Sequence, residues 1–518
     1  MRGIDLSALE RAVRDLAATY PGPGGLVGVV ADGETVLAHG WGFADLGARL
    51  PMTERLRLPI CSISKQFTCG VLLDVTGDPA ELDGEVARVL PRLDGRPPSV
   101  RELCHNQSGL RDYWALTVLH GADPEGRFGP EDARPVFARM RSTQFEPGTR
   151  YSYSNGNFRI LADLIEERAG RSLGELYAER MFGPAGMEMA IHTPDTAEPA
   201  DGVTGYEGNA EVGHFPAWNG IYWTGDAGIS ASLEDMLAWE RHIHATADAA
   251  ESLYGRLSAP QTFSDGTPAR YGFGLAHEEI GGLAATGHGG ALRGFRLQRL
   301  YVPAARLSVV VMFNHEADAH AAAVGLVRAA LGQAEPGQGA VPGEGWSGWY
   351  LDRETELLLC VEGQGGRLVA RFGMGPEELM LGPDGVARGA EMALSRSGDG
   401  LRVERPGENL RTEAVRVSGE PRGDIAGRYQ SDEIGGSLEI VSAGGAFYGG
   451  FEGMLGRGGM LPVLPVGEDV WRMPCRRSMD APAPGDWTLR VRRGEDGRVS
   501  GLGVGCWLAR GVEYSRTG

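Results

Sequence analysis

The chain reads as an α+β domain followed by two small antiparallel β-barrels, and three observations carry that reading. Strand patterns stand at both ends of residues 20 to about 330, with helical patterns between them. A Gly/Pro-rich stretch follows. Beyond it, short alternating segments separated by Gly and Asp clusters carry a weak internal repeat.

The first element is a helix. Ile4, Leu6, Leu9, Val13 and Leu16 sit at helical spacing, and Ser7 and Glu10 form a Ser-x-x-Glu capping box. Leu26–Val30 and Thr35–Ala38 flank Ala31-Asp32-Gly33 and predict a β-hairpin. From residue 59 to about 245 the pattern is mostly helical, as at Val71–Leu73 and at Ile160–Ile165 before Gly170. Strands return at Leu297–Val302 and Leu307–Phe313, and a helix over Ala321–Leu331 closes the block. The terminal strands are expected to share one sheet.

The expected division is a first domain over 1–332, a linker over 333–345, and barrels over 346–417 and 420–518. The repeat that suggests two barrels has an offset of 79 residues. Gly348-Trp349-Tyr350 recurs as Gly427-Arg428-Tyr429, and Leu359 and Val361 match Leu438 and Ile440. Gly366, Leu368 and Phe372 match Gly445, Phe447 and Phe451. One mixed β domain is the alternative.

A net charge of −19 argues against nucleic-acid binding, which needs a basic surface. No stretch approaches the roughly 18 apolar residues of a membrane span. The N-terminus shows no secretory pattern, and the six cysteines are scattered, so a cytoplasmic protein with reduced thiols is expected. No metal or cofactor is expected. His315-Glu316-Ala317-Asp318-Ala319-His320 is one residue too long for the two-histidine zinc motif, and His242-Ile243-His244 lacks identifiable partners. There is no Gly-x-Ser-x-Gly nucleophile elbow.

Lysine is the informative residue. Of 50 Lys+Arg, 49 are arginine, and the one lysine is Lys65. A guanidinium does not release its proton in a protein, whereas an ammonium does when its surroundings lower its pKa. A solvated surface lysine is the competing explanation. Ser62 precedes Lys65 by three residues where a helix would begin, so the amine can reach the hydroxyl. A lysine neutralised by burial and adjacent cations can serve as the base for a serine nucleophile, and a helix start supplies N–H groups for an oxyanion. Ser-x-x-Lys alone is a weak motif.

Two further segments strengthen it. Tyr153-Ser154-Asn155 lies in a loop just before a helix, and a tyrosine near cations can have a lowered pKa and accept the serine proton. His288-Gly289-Gly290 follows Thr286-Gly287, and its glycines would let a substrate approach the backbone. Packing alone explains either segment taken singly; their order is what counts.

With His105-Asn106-Gln107-Ser108-Gly109-Leu110 added, four motifs in order resemble the serine β-lactamases and penicillin-binding proteins, especially the class C-like branch, over roughly residues 20–330. The resemblance implies a penicillin-recognising fold with the site between an α domain and an antiparallel sheet. It implies that Ser62 is acylated, that Lys65 and Tyr153 relay its proton, and that Asn155 orients the substrate. It puts the oxyanion between the N–H groups of Ser62 and Ala291, and His288 where the family more often has lysine. A histidine is mostly neutral near pH 7, so selection for a substrate carboxylate is weakened and β-lactams are expected at most as slow acylating inhibitors.

From end to end the chain is similar to the D-aminopeptidase branch, including Arg477–Pro482 and Gly505–Gly511. That similarity implies release of an N-terminal D-residue, typically D-Ala, from short peptides, amides and esters. It also implies a homodimer and a loop of the last barrel, about Arg476–Asp486, that reaches the site. Asp480 would there meet the substrate's ammonium, with Pro482 and Pro484 stiffening the loop. The competing readings are a class C-like esterase or β-lactamase, and a ligand sensor without catalysis.

Overall fold

The computed structural model describes residues 4–333, 345–364, 367–475, 477–480 and 483–517. Most of the expected linker, with Gly366, Arg476 and Pro482, lies outside the described residues.

The strand Gly24–Ala31 pairs on one side with Glu34–Asp45 and on the other with Leu307–Phe313, Val27 standing opposite Val311. Phe295–Val302, Leu283–Leu292, Leu275–Ile280 and Tyr271–Gly272 extend the same antiparallel sheet. The two ends of the first domain thus share a sheet, as expected. Successive side chains of a strand point to opposite faces. Val27 and Val29 accordingly join the terminal helices Leu6–Thr19 and Ala319–Ala330 through Leu9, Val13 and Leu326. Leu26 and Val30 join the helical layer on the other face through Phe67 and Trp239. Covering both faces explains why Gly24–Ala31 is apolar throughout rather than alternating.

The first helix starts two residues earlier than the capping box implied. Asp5 is the N-cap, its carboxylate accepting from the Ala8 N–H at 2.9 Å, and Ser7 lies inside the helix. An aspartate at this position is as good an acceptor as a serine, so the Ser7–Glu10 spacing had an equal local competitor.

Eight strands from Gly348–Asp352 to Leu410–Arg416 form a closed barrel. From Gly427–Ser431 to Ala509–Arg516 eight more close through the pairing of Gly436–Ala443 with Ala446–Gly453, and Gly456–Arg457 is added at the margin. The two-barrel expectation therefore holds over the mixed β domain. The repeat has a physical basis. Tyr350 and Tyr429 are buried at equivalent strand positions, opposite Leu359 and Leu438. Each hydroxyl donates to the carbonyl four residues back, Trp346 at 3.0 Å and Ile425 at 2.6 Å. Each ring also carries an arginine from the barrel's last strand, Arg416 and Arg516.

All six cysteines are buried and unpaired, and among the described residues no group of His, Cys, Asp and Glu is placed to hold a metal ion. No described helix is long and apolar enough to cross a membrane.

Candidate active site

Ser62 sits in a single 3-10 turn, Cys61–Ile63, that runs into the helix Ser64–Thr76. Cys61 adopts φ +51°, a conformation that L-residues rarely take, and so turns the chain sharply just before Ser62. The turn has little room. A Cβ on Gly290 would stand 2.5 Å from the Ile60 carbonyl, so the glycine leaves space for the Cys61–Ile63 turn. Gly290→Ala should push the Cys61–Ile63 turn away from the strand Leu283–Leu292. We expect kcat/KM to fall about 100-fold in steady-state assays, because a misplacement near 1 Å has that effect; unchanged kinetics would mean that the turn yields freely.

Lys65 is fully buried, and its Nζ lies 3.0 Å from Ser62 Oγ, 2.8 Å from Asn155 Oδ1 and 2.6 Å from the Asp226 carbonyl. Burial lowers its pKa to about 8, while the charges of Asp226, Asp112 and Asp480 oppose the shift. The expectation of adjacent cations is corrected: carboxylates surround this amine, and desolvation alone weakens its hold on the proton. Nζ also stands 5.0 Å from the centroid of the Tyr153 ring.

Tyr153 touches the Ser62 hydroxyl, but its pKa is well above the ordinary phenol value, chiefly through burial. The expected lowering does not occur, because desolvation of the phenolate outweighs the one nearby ammonium. Tyr153 is therefore a neutral hydroxyl that can pass a proton.

The segment 105–112 holds the Tyr153 loop in place. Asn106, at φ +53°, accepts through Oδ1 from the Ser154 N–H (3.1 Å) and from Asn157 Nδ2 (2.9 Å). Asp112 Oδ1 accepts from the Asn155 N–H at 2.7 Å. Neither Asp112 nor Asp226 was marked by the sequence. The signals were present but faint: Asp112 follows His105–Leu110 by two residues, and Asp226 lies between Gly225 and Gly228.

His288 is placed beside Tyr153, ring centroids 6.1 Å apart, but does not line the cavity above Ser62. Its Nδ1 is 2.6 Å from the Gly289 carbonyl and its Nε2 3.0 Å from the Tyr271 hydroxyl. The carbonyl can only accept, so Nδ1 carries the proton and Tyr271 donates to Nε2. Burial holds the ring pKa at about 3, so His288 carries no charge near neutrality.

A cavity of about 760 Å³ opens above Ser62 at the meeting of all three domains. Ser62, Asn155 and Ala291 come from the first domain, Phe372 and Arg405 from the first barrel, and Asp480 and Trp507 from the second. Trp507 carries the guanidinium of Arg405 at 4.6 Å and that of Arg510 at 4.1 Å from its ring centroid. Asp480 hydrogen-bonds the Ser478 hydroxyl, and neighbouring Arg477 pairs with Glu125 and Glu207 of the first domain. Of the loop expected at about 476–486, Ser478 and Asp480 line the cavity. Among the described lining residues, seven carboxylates face two arginines. The first barrel's share, Glu377, Glu391, Arg405 and Glu408, was invisible in the sequence.

A sheet backed by helices, with a serine and a buried lysine in contact at its edge, defines a serine hydrolase of the β-lactamase class. The β-lactamase family profile matches residues 9–334, and that described as D-aminopeptidase, domain B matches residues 340–515. The chain is 56% identical over 516 residues to a D-aminopeptidase of Cereibacter sphaeroides, covering 99% of both chains. It is 54% identical over 519 residues to one of Brucella melitensis, covering 100% of both. The chain belongs to the D-aminopeptidase family. Among solved structures, the octameric penicillin-binding protein homologue from Pyrococcus abyssi superposes with a TM-score of 0.54 at 19% identity, over 79% of this chain and all of that one. The D-amino acid amidase from Ochrobactrum anthropi SV3 superposes with a TM-score of 0.52 at 18% identity, over 63% of this chain and 98% of that one.

Proposed function

We propose that this protein releases N-terminal D-residues, D-Ala foremost, from short peptides, amides and esters through an acyl-enzyme on Ser62. The observation that carries the reading is the 3.0 Å approach of a fully buried Lys65 to Ser62, at the floor of an acidic cavity. The full-length relatives named D-aminopeptidase support the substrate class.

Neutral Lys65 takes the Ser62 proton, directly or through the Tyr153 hydroxyl, as Oγ bonds to the acyl carbon. The N–H groups of Ser62 and Ala291 hold the resulting oxyanion. With Asn155 Oδ1 turned to Lys65, its amide N–H groups are left to orient the substrate carbonyl. Collapse breaks the C–N bond, and the proton passes from Lys65 through Tyr153 to the leaving nitrogen. Water then adds to the ester with the same base, releasing the D-amino acid and returning the proton to Ser62. His288 is a positioning residue that packs against Tyr153. Its neutrality leaves no fixed cation there for a β-lactam carboxylate, so β-lactams act at most as slow acylating inhibitors. Residues 1–332 form the catalytic domain, and the barrels at 346–417 and 420–518 shape access, the second presenting Asp480 to the substrate ammonium.

Hydrolysis of D-alanine p-nitroanilide, but not of its L-isomer or nitrocefin, is the expected pattern, and Ser62→Ala should abolish it. Rapid nitrocefin turnover would favour the esterase or β-lactamase reading. Absence of any Ser62 adduct by mass spectrometry would favour the sensor.

A further inference from the structure

Besides Asp480 the cavity is lined by Asp112, and the hydrogen bonding of Asp112 is incomplete. Asp112 is 1% exposed and lines the cavity with Ser62, Asn155 and Asp480. One oxygen, Oδ1, is used by the Asn155 N–H. The other, Oδ2, is buried and has no hydrogen-bond partner among the described residues. Leaving a buried carboxylate oxygen unpaired is unfavourable, so the position calls for a donor that arrives with a ligand. The backbone fixes where that donor must come. The Asp112 N–H donates to the Leu508 carbonyl at 2.9 Å, which ties this residue to the second barrel, from which Asp480 enters the cavity.

We propose that Asp112 and Asp480, reaching in from different domains, together hold the substrate's α-ammonium. This rests on the aminopeptidase reading and adds to it a second specificity-determining residue. An ammonium has three N–H donors and a full charge, and two carboxylates satisfy it far better than one. The electrostatics agree with the geometry. Burial first, and then the charge of Asp480, raise the Asp112 pKa to about 7, whereas the Asn155 N–H and Lys65 lower it. A cation entering between the two carboxylates relieves both the burial and the repulsion.

The arrangement also accounts for reading one configuration. The acyl carbon is fixed at Ser62, and the nitrogen is fixed between Asp112 and Asp480. Inverting the α-carbon then exchanges hydrogen and side chain against a single wall. Because Asp112 also carries the Asn155 backbone, the ammonium clamp and the carbonyl-orienting amide share one rigid support.

The test is Asp112→Asn in the full chain, with two p-nitroanilides. One is that of D-alanine; the other is that of D-lactic acid, which has a hydroxyl in place of the ammonium. The asparagine carbonyl can still accept from the Asn155 N–H. We expect kcat/KM for the D-alanine substrate to fall about 10- to 100-fold, through KM, while that for the D-lactyl substrate changes by less than about threefold. Equal losses on both would make Asp112 only a support for Asn155, and no loss on either would remove it from recognition; each outcome overturns the proposal. If the unaltered protein takes both substrates equally, the aminopeptidase reading itself fails and this inference fails with it. Should Asp112→Asn not accumulate folded, Asp112→Glu decides on the same ratio. That variant keeps the charge and displaces it by one methylene, so the preference for the ammonium should narrow; an unchanged ratio overturns the proposal.

Discussion

Substituting Lys65 by arginine should lower kcat by about 10³-fold or more while the protein still folds, because the guanidinium stays charged and cannot take the serine proton. The charge is not what the site lacks, since Asp226, Asp112 and Asp480 lie near enough to oppose the loss of the Lys65 proton. What the substitution removes, on the proposed mechanism, is a group that can give up its proton above about pH 8. Activity should accordingly rise with pH through about 8, the pKa of the buried amine, and level off above it. The chain offers a direct measurement. Lys65 is its one lysine, so [13Cε]lysine labelling yields a single resonance to titrate. A midpoint near the ordinary 10.5 would remove Lys65 as the base. The same shift has a stability consequence whose sign is fixed. Below pH 8 both folded and unfolded chains hold the proton, and the folded one bears its burial. Between about 8 and 10.5 the folded chain has released it while the unfolded chain keeps it, so this group's contribution to stability rises with pH across that window.

Replacing Arg111 by methionine should cost about 3–5 kcal/mol of stability, since it removes one partner of a buried ion pair and leaves the other uncompensated. Arg111 pairs with Glu433 of the second barrel at 2.9 Å and is 4% exposed. Its Nε and a terminal nitrogen also donate to the carbonyls of Arg510 (2.7 Å) and Gly511 (3.3 Å). It is therefore the peg by which the catalytic domain holds the strand Ala509–Arg516 and the Trp507–Leu508 turn. Asp112 is the next residue in the chain. Loss of the peg should loosen the second barrel and raise KM for free-amine substrates more than for neutral ones, with kcat less affected. Urea unfolding and the KM ratio check both parts. An unchanged midpoint with an unchanged ratio would mean that the barrel is held elsewhere.

The residues legible in the sequence are those whose chemistry depends on local spacing. Ser62 and Lys65 stand three apart across the start of a helix, and Tyr153 and Asn155 flank the N-cap of another, so one turn of backbone places each pair. The Tyr350 and Tyr429 repeat was legible for the same reason, since a hydroxyl bonded four residues back is a local device. Asp112, Asp226 and Arg111 were not. Asn155 lies 43 residues from Asp112, Tyr113 lies 113 from Asp226 and Gly511 lies 400 from Arg111, and nothing in a short window distinguishes a buried aspartate from a solvated one. The Tyr153 pKa was misjudged on the same ground, because counting nearby charges omits the burial that outweighs them.

The sequence by itself determined the architecture of sheet, helices and two barrels, and the pairing of Ser62 with Lys65, because periodicity, turn residues and helical spacing are local properties of the chain. Only the tertiary structure decided what the lysine's neighbours are, that burial holds His288 neutral outside the cavity lining, and that carboxylates of all three domains face one site. Those are matters of desolvation and of long-range contact, and both arise only when distant segments exclude water together.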